Sequence, residues 1–350
     1  MPVDRGLLKR LGLASPLILA PMASASTPAL VAAVANAGGL GSLGTARLAP
    51  DEITRAIREF RSLSNQIFNV NLFAPLAVEN ELAKVENARR LLAPFYRELG
   101  LGDPPAVPKP PLFGFEDQLE AVLAERPPIF SFTFNLLPPD AVRRIKATGA
   151  YLIGTATTVR EARALEAAGV DAIVAQGSEA GGHRGTFMGD FGESQVGLVV
   201  LVPAIRRAVS VPVIAAGGIM DVAGVRAALA LGADAAQLGT VFLGSPENTA
   251  INAPYRATVL DAAEATTVVS RVYSGRYARM IRNRYVAAML PHMAELPGYP
   301  TMGALTQPMI QAAIAQGRGD LVQMLAGQGV ARTSAEPAGA LVQRLAAELV

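Results

Sequence analysis

Three observations predict an α/β fold, a (β/α)₈ TIM barrel with an inserted helical subdomain. Short apolar runs occur eight times in the first 245 residues, each ending near Gly, Pro, Ser or Asn. Alanine- and leucine-rich segments with helical spacing separate them. From residue 246 the rhythm stops, and the chain reads as helices and turns without further strands. Strand–helix alternation returns every strand to the same end, so the strands pair in parallel. Eight such units in series close on themselves. An open doubly wound sheet is the alternative for the same rhythm.

The runs are LILAPM (17–22), LGSLG (40–44), IFNVNLF (67–73), IFSFTF (129–134), YLIGTA (151–156), AIVAQG (172–177), PVIAAGG (212–218) and AAQLGTVF (235–242). Between them, Ser26 or Thr27 can cap a helix that has Pro28 at its first position, and Asp221 can cap another. AGGL, AAGV and ALGA supply terminating glycines. Residues 78–111 form a helical excursion that ends in the stiff proline-rich connector GDPPAVPKPP. The expected organisation is a barrel over 1–245, a helical subdomain lining the substrate cleft over 246–320, and C-terminal helices returning to the barrel over 321–350.

Composition narrows the function. Of 350 residues, 51% are hydrophobic and 17% charged, enough for a sizeable core. Net charge is +2 with no basic block, so nucleic-acid binding is not expected. The absence of cysteine excludes disulfides, thiolate catalysis and Cys-ligated metal. The apolar run LILA is bracketed by Pro16 and Pro21, unlike a signal peptide. No stretch reaches the roughly 18 apolar residues of a membrane span. A cytoplasmic protein without membrane contact is expected, as a monomer or homodimer. Two distant histidines with no acidic ligand motif predict no metal.

A barrel places its site at the carboxyl ends of its strands. There the chain carries Asn69 and Asn71, Ser131 and Thr133, Gln176, and Gln237 followed by Gly239 and Thr240. Amides grouped at one end of an apolar barrel predict a polar, flat ligand, since an unpaired buried amide costs about 1–3 kcal/mol. The clusters AAGGI (215–219) and LGT (238–240) fit a phosphate site after the seventh and eighth runs. A dinucleotide GxGxxG and a P-loop are both missing. The loop AQGSEAGGHRGTF (175–187) hangs over the barrel mouth. In it Gly181 and Gly182 allow close backbone approach, and His183 can take a proton. His292 reads as structural.

These residues also carry a resemblance. APMASASTPALVAAVANAGGLGSLG, FNVNLF, AQGSEAGGHRG, PVIAAGGIMD and AAQLGTVFL, followed by SGRYARMIRNRY, YPTMGALTQP and AGQG, resemble the nitronate monooxygenase family, formerly 2-nitropropane dioxygenases, in its class I form. The resemblance implies an FMN-binding barrel with a helical second domain. It implies that Asn71 and Gln176 bond the flavin. It assigns Ala20, Pro21 and Met22 to the flavin wall. Gly181, Gly217, Gly218 and the run Gln237, Leu238, Gly239 and Thr240 would hold FMN, largely by its phosphate. His183 matches the family's catalytic base, and Tyr299 would reach the substrate from the insert. Thr133 stands where the family has a histidine, ASAS replaces a common glycine pair, and Gly303 replaces a polar or aromatic residue.

The leading expectation is FMN-dependent oxidation of alkyl nitronates, such as propionate 3-nitronate, with O₂ to carbonyl compound and nitrite. Thr133, Tyr299 and Arg184 are expected at the substrate. The runner-up is an FMN-dependent NAD(P)H reductase acting on a quinone or enoyl thioester. A third reading is a flavin-binding barrel without turnover.

Overall fold

Each apolar run forms a strand in the computed structural model, which describes residues 6–23, 25–77, 81–106, 113–262 and 266–349. The first six are β1 (Leu17–Leu19), β2 (Gly41–Gly44), β3 (Phe68–Phe73), β4 (Ile129–Thr133), β5 (Tyr151–Ala156) and β6 (Ala172–Gln176). A two-residue strand outside the barrel, β7 (Gly182–His183), follows. The last two barrel strands are β8 (Val213–Ala216) and β9 (Ala235–Leu238). All pair in parallel in the order β1-β9-β8-β6-β5-β4-β3-β2. A parallel bridge between Ile18 and Leu40 brings the two edge strands together and all but closes the ring. There Leu19 N donates to Leu40 O at 2.8 Å.

The helices are α1 (Gly6–Leu11), α2 (Pro28–Asn36), α3 (Pro50–Leu63), α4 (Leu82–Glu98), α5 (Phe115–Glu125), α6 (Pro139–Ala147), α7 (Val159–Ala167), α8 (Leu198–Ala208) and α9 (Val222–Ala230). After the barrel come α10 (Ala253–Leu260), α11 (Arg284–Met289), α12 (Thr301–Ala315) and α13 (Ala338–Leu349). Thr27 caps α2 by accepting from Leu30 N, with Pro28 next in line, and Asp221 caps α9 by accepting from Gly224 N. Among the described residues no helix is long and apolar enough to cross a membrane. The end of the proline-rich connector, from residue 107, lies outside the described residues.

Strand alternation sorts the side chains. Leu17 and Leu19 face the helices, whereas Ile18 points inward beside Ile129, Ile153, Val174 and Ile214. Leu7 and Leu11 of α1 pack into this inner cluster. The same period turns Asn71, Thr133, Gln176 and Gln237 inward at the carboxyl ends, where the apolar fill gives way to polar groups. α13 returns to pack on α2 and α9.

Residues 246–320 contain two strands, which corrects the expectation of helices and turns alone. β10 (Thr267–Ser270) and β11 (Ala278–Ile281) pair antiparallel, and β11 also pairs with β7. Thr267, Val268 and Val269 are β-branched and suit a pleated surface. The pairing sets Ala278 opposite His183 and Arg279 opposite Gly182, so the insert is stitched to the loop after β6. The insert and α4 share a second core built on Leu92, Tyr96, Met280, Tyr285, Leu305 and Met309. Within it Tyr96 Oη donates to Leu305 O at 2.6 Å.

Candidate active site

The carboxyl ends of the strands open into a cavity of about 360 Å³. Asn71, Thr133, Gln176 and Gln237 line it from the strands. Ala20, Pro21 and Met22 line it from the loop after β1, Gly217 and Gly218 from the loop after β8, and Gly239 and Thr240 from the loop after β9. Gly181 and His183 come from the loop after β6.

The four strand amides differ in their partners. Asn69 lies one layer deeper than the cavity and donates to Ser42 Oγ and Ser131 Oγ at 3.2 and 2.8 Å. Asn71 Nδ2 donates to Ser131 Oγ at 2.8 Å. Gln176 braces the loop, donating to His183 O at 3.0 Å and accepting from Gly185 N at 2.8 Å. Among the described residues, no protein group hydrogen-bonds the Gln237 side chain. Gln323, which also lines the cavity, has a buried Nε2 with no partner among the described residues.

Two expected residues of the barrel point elsewhere. Arg184 is 1% exposed and does not reach the cavity. Its fork donates to Gln176 Oε1 and O, to Gly177 O and to Ser194 O, at 2.5–3.2 Å. Buried away from the cavity with both Nη groups on loop oxygens, Arg184 locks the loop instead. Leu238 is 1% exposed in the outer core, and its carbonyl accepts from Ala20 N at 2.8 Å. The glycine pair is also partly reassigned. A Cβ on Gly181 would lie 2.5 Å from Gly327 N, so its close approach is to the C-terminal segment as well as to the cavity. Glu179 accepts from Leu198 N, the first residue of α8, with both carboxylate oxygens.

His183 stands where these elements meet. Its Nε2 lies 2.9 Å from Ser274 Oγ, on the insert. Its ring meets Phe134 and Tyr299 edge-on, at 5.7 and 6.2 Å between centroids. Burial, followed by the positive charges of Arg47 and Arg276, pushes its pKa down to about 3. The imidazole is therefore neutral at neutral pH. Arg276 sits 3.9 Å over the Phe134 ring and donates to Arg184 O and Thr186 O. Burial lowers its pKa to about 10, which leaves it a cation at neutral pH. Tyr299 does not line the cavity but packs behind His183, and its phenol is raised by burial against the pull of the same two arginines. His292 lies apart, 3.1 Å from Glu295 Oε1.

Sequence reasoning missed Ser274, Arg276 and Glu161. Glu161 is fully buried and accepts from Thr157 N and Oγ1, Phe187 N and Met188 N. The first two stand in the arginine-rich SGRYAR stretch, whose distance from the loop along the chain hid their meeting.

A family model for nitronate monooxygenase matches residues 5–348. The chain belongs to the nitronate monooxygenase family. A nitronate monooxygenase of Pseudomonas aeruginosa is 43% identical over 342 residues, 97% of both chains. The solved structure of a nitroalkane oxidase from Streptomyces ansochromogenes matches with a TM-score of 0.90 at 38% identity, covering 98% of this chain and 97% of the other. FabK from Thermotoga maritima matches with a TM-score of 0.75 at 28% identity, covering 98% and 95%.

Nitronate monooxygenases are flavin-dependent oxidoreductases, so the chain is an enzyme of that class. Its cavity fits such a group. Gly217 and Gly218 hold φ of +134° and +68°, which side chains rarely adopt. Among the described residues, their N–H groups donate to no protein acceptor. Two unclaimed backbone donors beside Thr240 suit a phosphate. The unpartnered amides of Gln237 and Gln323 suit a heterocycle with ring carbonyls and nitrogens.

Proposed function

We propose that the chain is an FMN-dependent nitronate monooxygenase. It oxidises alkyl nitronates, such as propionate 3-nitronate, with O₂ to a carbonyl compound and nitrite. The carrying observation is a neutral His183, fixed by Ser274 at a cavity whose glycine loop offers free donors for a phosphate.

In this reading Gly217, Gly218, Gly239 and Thr240 hold the FMN phosphate, Asn71 and Gln237 bond the ring, and the backbone of Ala20, Pro21 and Met22 lines it. FMN supplies the redox chemistry when bound. The protein orients the substrate and controls protons. Ser274 Oγ donates to Arg276 O at 3.1 Å, so its oxygen accepts from His183 Nε2–H. That leaves Nδ1 as the proton-accepting atom. A neutral nitroalkane must lose its α-proton there. A base held near a pKa of 3 takes that proton poorly. A nitronate arrives without it, so the site favours nitronates. The substrate and O₂ are the small molecules the cavity serves. Thr133 flanks the substrate on the wall, and Tyr299 backs the His183 ring.

Thr133, where the family has a histidine, favours the second reading, an FMN-dependent NAD(P)H reductase. Anaerobic mixing of the FMN-loaded protein separates the two. Rapid loss of flavin absorbance with a nitronate and none with NADH or NADPH is expected. Rapid loss with the nicotinamide alone would establish the reductase.

A further inference from the structure

Among the described residues lining the cavity, one side chain carries a formal charge at neutral pH, and it is Arg47. It stands on the loop between β2 and α3. Its neighbours in sequence are fixed. Gln118 Nε2 donates to Ala46 O at 3.2 Å and to Leu48 O at 2.9 Å, gripping the backbone on both sides. Thr45 donates to Asn71 O through both its N and its Oγ1, at 3.1 and 2.9 Å.

The guanidinium of Arg47, by contrast, has no hydrogen-bond or ion-pair partner among the described residues. The acids nearest in sequence are engaged elsewhere. Asp51 pairs with Arg55 at 3.0 Å, and Glu52 accepts from Ala49 N at 2.8 Å. Arg276 does not serve in its place, because it does not line the cavity: its Nε and one Nη donate to Arg184 O and Thr186 O, and its face lies on Phe134. Arg47 also acts electrostatically on both His183 and Tyr299, which places it on the substrate side of the cavity. The glycines that fit a phosphate come from other loops, after β8 and β9.

We propose that Arg47 is the specificity-determining residue that binds an oxyanion of the substrate. The oxyanion is either the nitronate group itself or a carboxylate carried by the same molecule. This rests on the nitronate reading above. A planar fork with all its donors free, on a clamped backbone, suits a planar two-oxygen anion, whichever of the two supplies it.

The test compares wild-type, Arg47→Ala and Arg47→Lys enzymes, each loaded with FMN. Substrates are propionate 3-nitronate and propyl-1-nitronate, which lacks the carboxylate. Arg47→Ala is expected to raise KM for propionate 3-nitronate by about ten-fold or more, with kcat changed less than about two-fold. Arg47→Lys is expected to recover part of the loss. A rise confined to propionate 3-nitronate assigns the carboxylate, and a rise with both substrates assigns the nitronate oxygens. KM unchanged for both overturns the proposal. Calorimetric titration with 3-nitropropionate and with nitrate reads the same site without turnover. Weaker binding of either anion in Arg47→Ala supports Arg47, and equal binding of both refutes it. Wild-type enzyme that releases no nitrite defeats the nitronate reading, and the titration then decides Arg47 alone.

Discussion

His183 and Ser274 lie 91 positions apart, yet one hydrogen bond between them fixes which imidazole nitrogen carries the proton. Replacing Ser274 by Ala frees the ring to change tautomer. The expected result is a fall of about ten-fold in kcat/KM for a neutral nitroalkane, a smaller change for a nitronate, and altered imidazole ¹⁵N shifts. Equal losses on both substrates with unchanged shifts would make Ser274 merely structural. Histidine titration also links to stability. The folded pKa is near 3 and the unfolded value near 6.5. Between them the unfolded chain binds a proton that the folded chain does not, so stability falls as pH drops through about 6.5. His183→Asn is therefore expected to lose less stability than wild type between pH 7.5 and pH 5, by denaturant midpoints. His183 itself was legible in the sequence, as a histidine in a glycine loop above the barrel. Arg184, its neighbour, was not, because only the folded loop reveals the four oxygens it closes.

At the scale of elements, the eight barrel strands were legible because each is an apolar run of fixed length between turn residues. β10 and β11 were not. Their signal is short, and β11 completes its pairing through a two-residue strand far away in sequence. Long-range pairing of that kind leaves no local period to read. Glu161 shows a similar limit, since a glutamate at a helix start normally reads as a solvated charge. Here it joins α7 to residues 186–188 by accepting from two backbone N–H groups of that loop. Glu161→Ala leaves the N–H groups of Thr157, Phe187 and Met188 without their acceptor and Thr157 Oγ1 with only Thr186. A stability loss of about 3 kcal/mol or more is expected by urea unfolding, with Glu161→Gln recovering part of it. A loss under about 1 kcal/mol would mean that the loop is held by Arg184, Gln176 and Arg276 without Glu161.

Across the whole molecule, two cores meet at one cavity. The barrel supplies a floor of strand ends and glycine loops. The insert supplies Ser274 and Arg276, and α12 and the C-terminal segment close the side with Gln307, Gln323 and Gly327. A barrel alone would present His183 without its hydrogen-bond partner. Strand alternation made the inward-facing residues of the barrel floor readable, though not the outward Leu238 or the loop-bracing Gln176, whereas the insert's part depended on contacts between distant segments. The central claim is that this joint cavity oxidises nitronates. The measurement that tests it most directly is nitrite released in air from propionate 3-nitronate by the FMN-loaded protein. Saturable nitrite formation that consumes O₂ and needs no NADH or NADPH is expected. Nitrite no faster than in protein-free buffer, from a protein with its full complement of flavin, would contradict it.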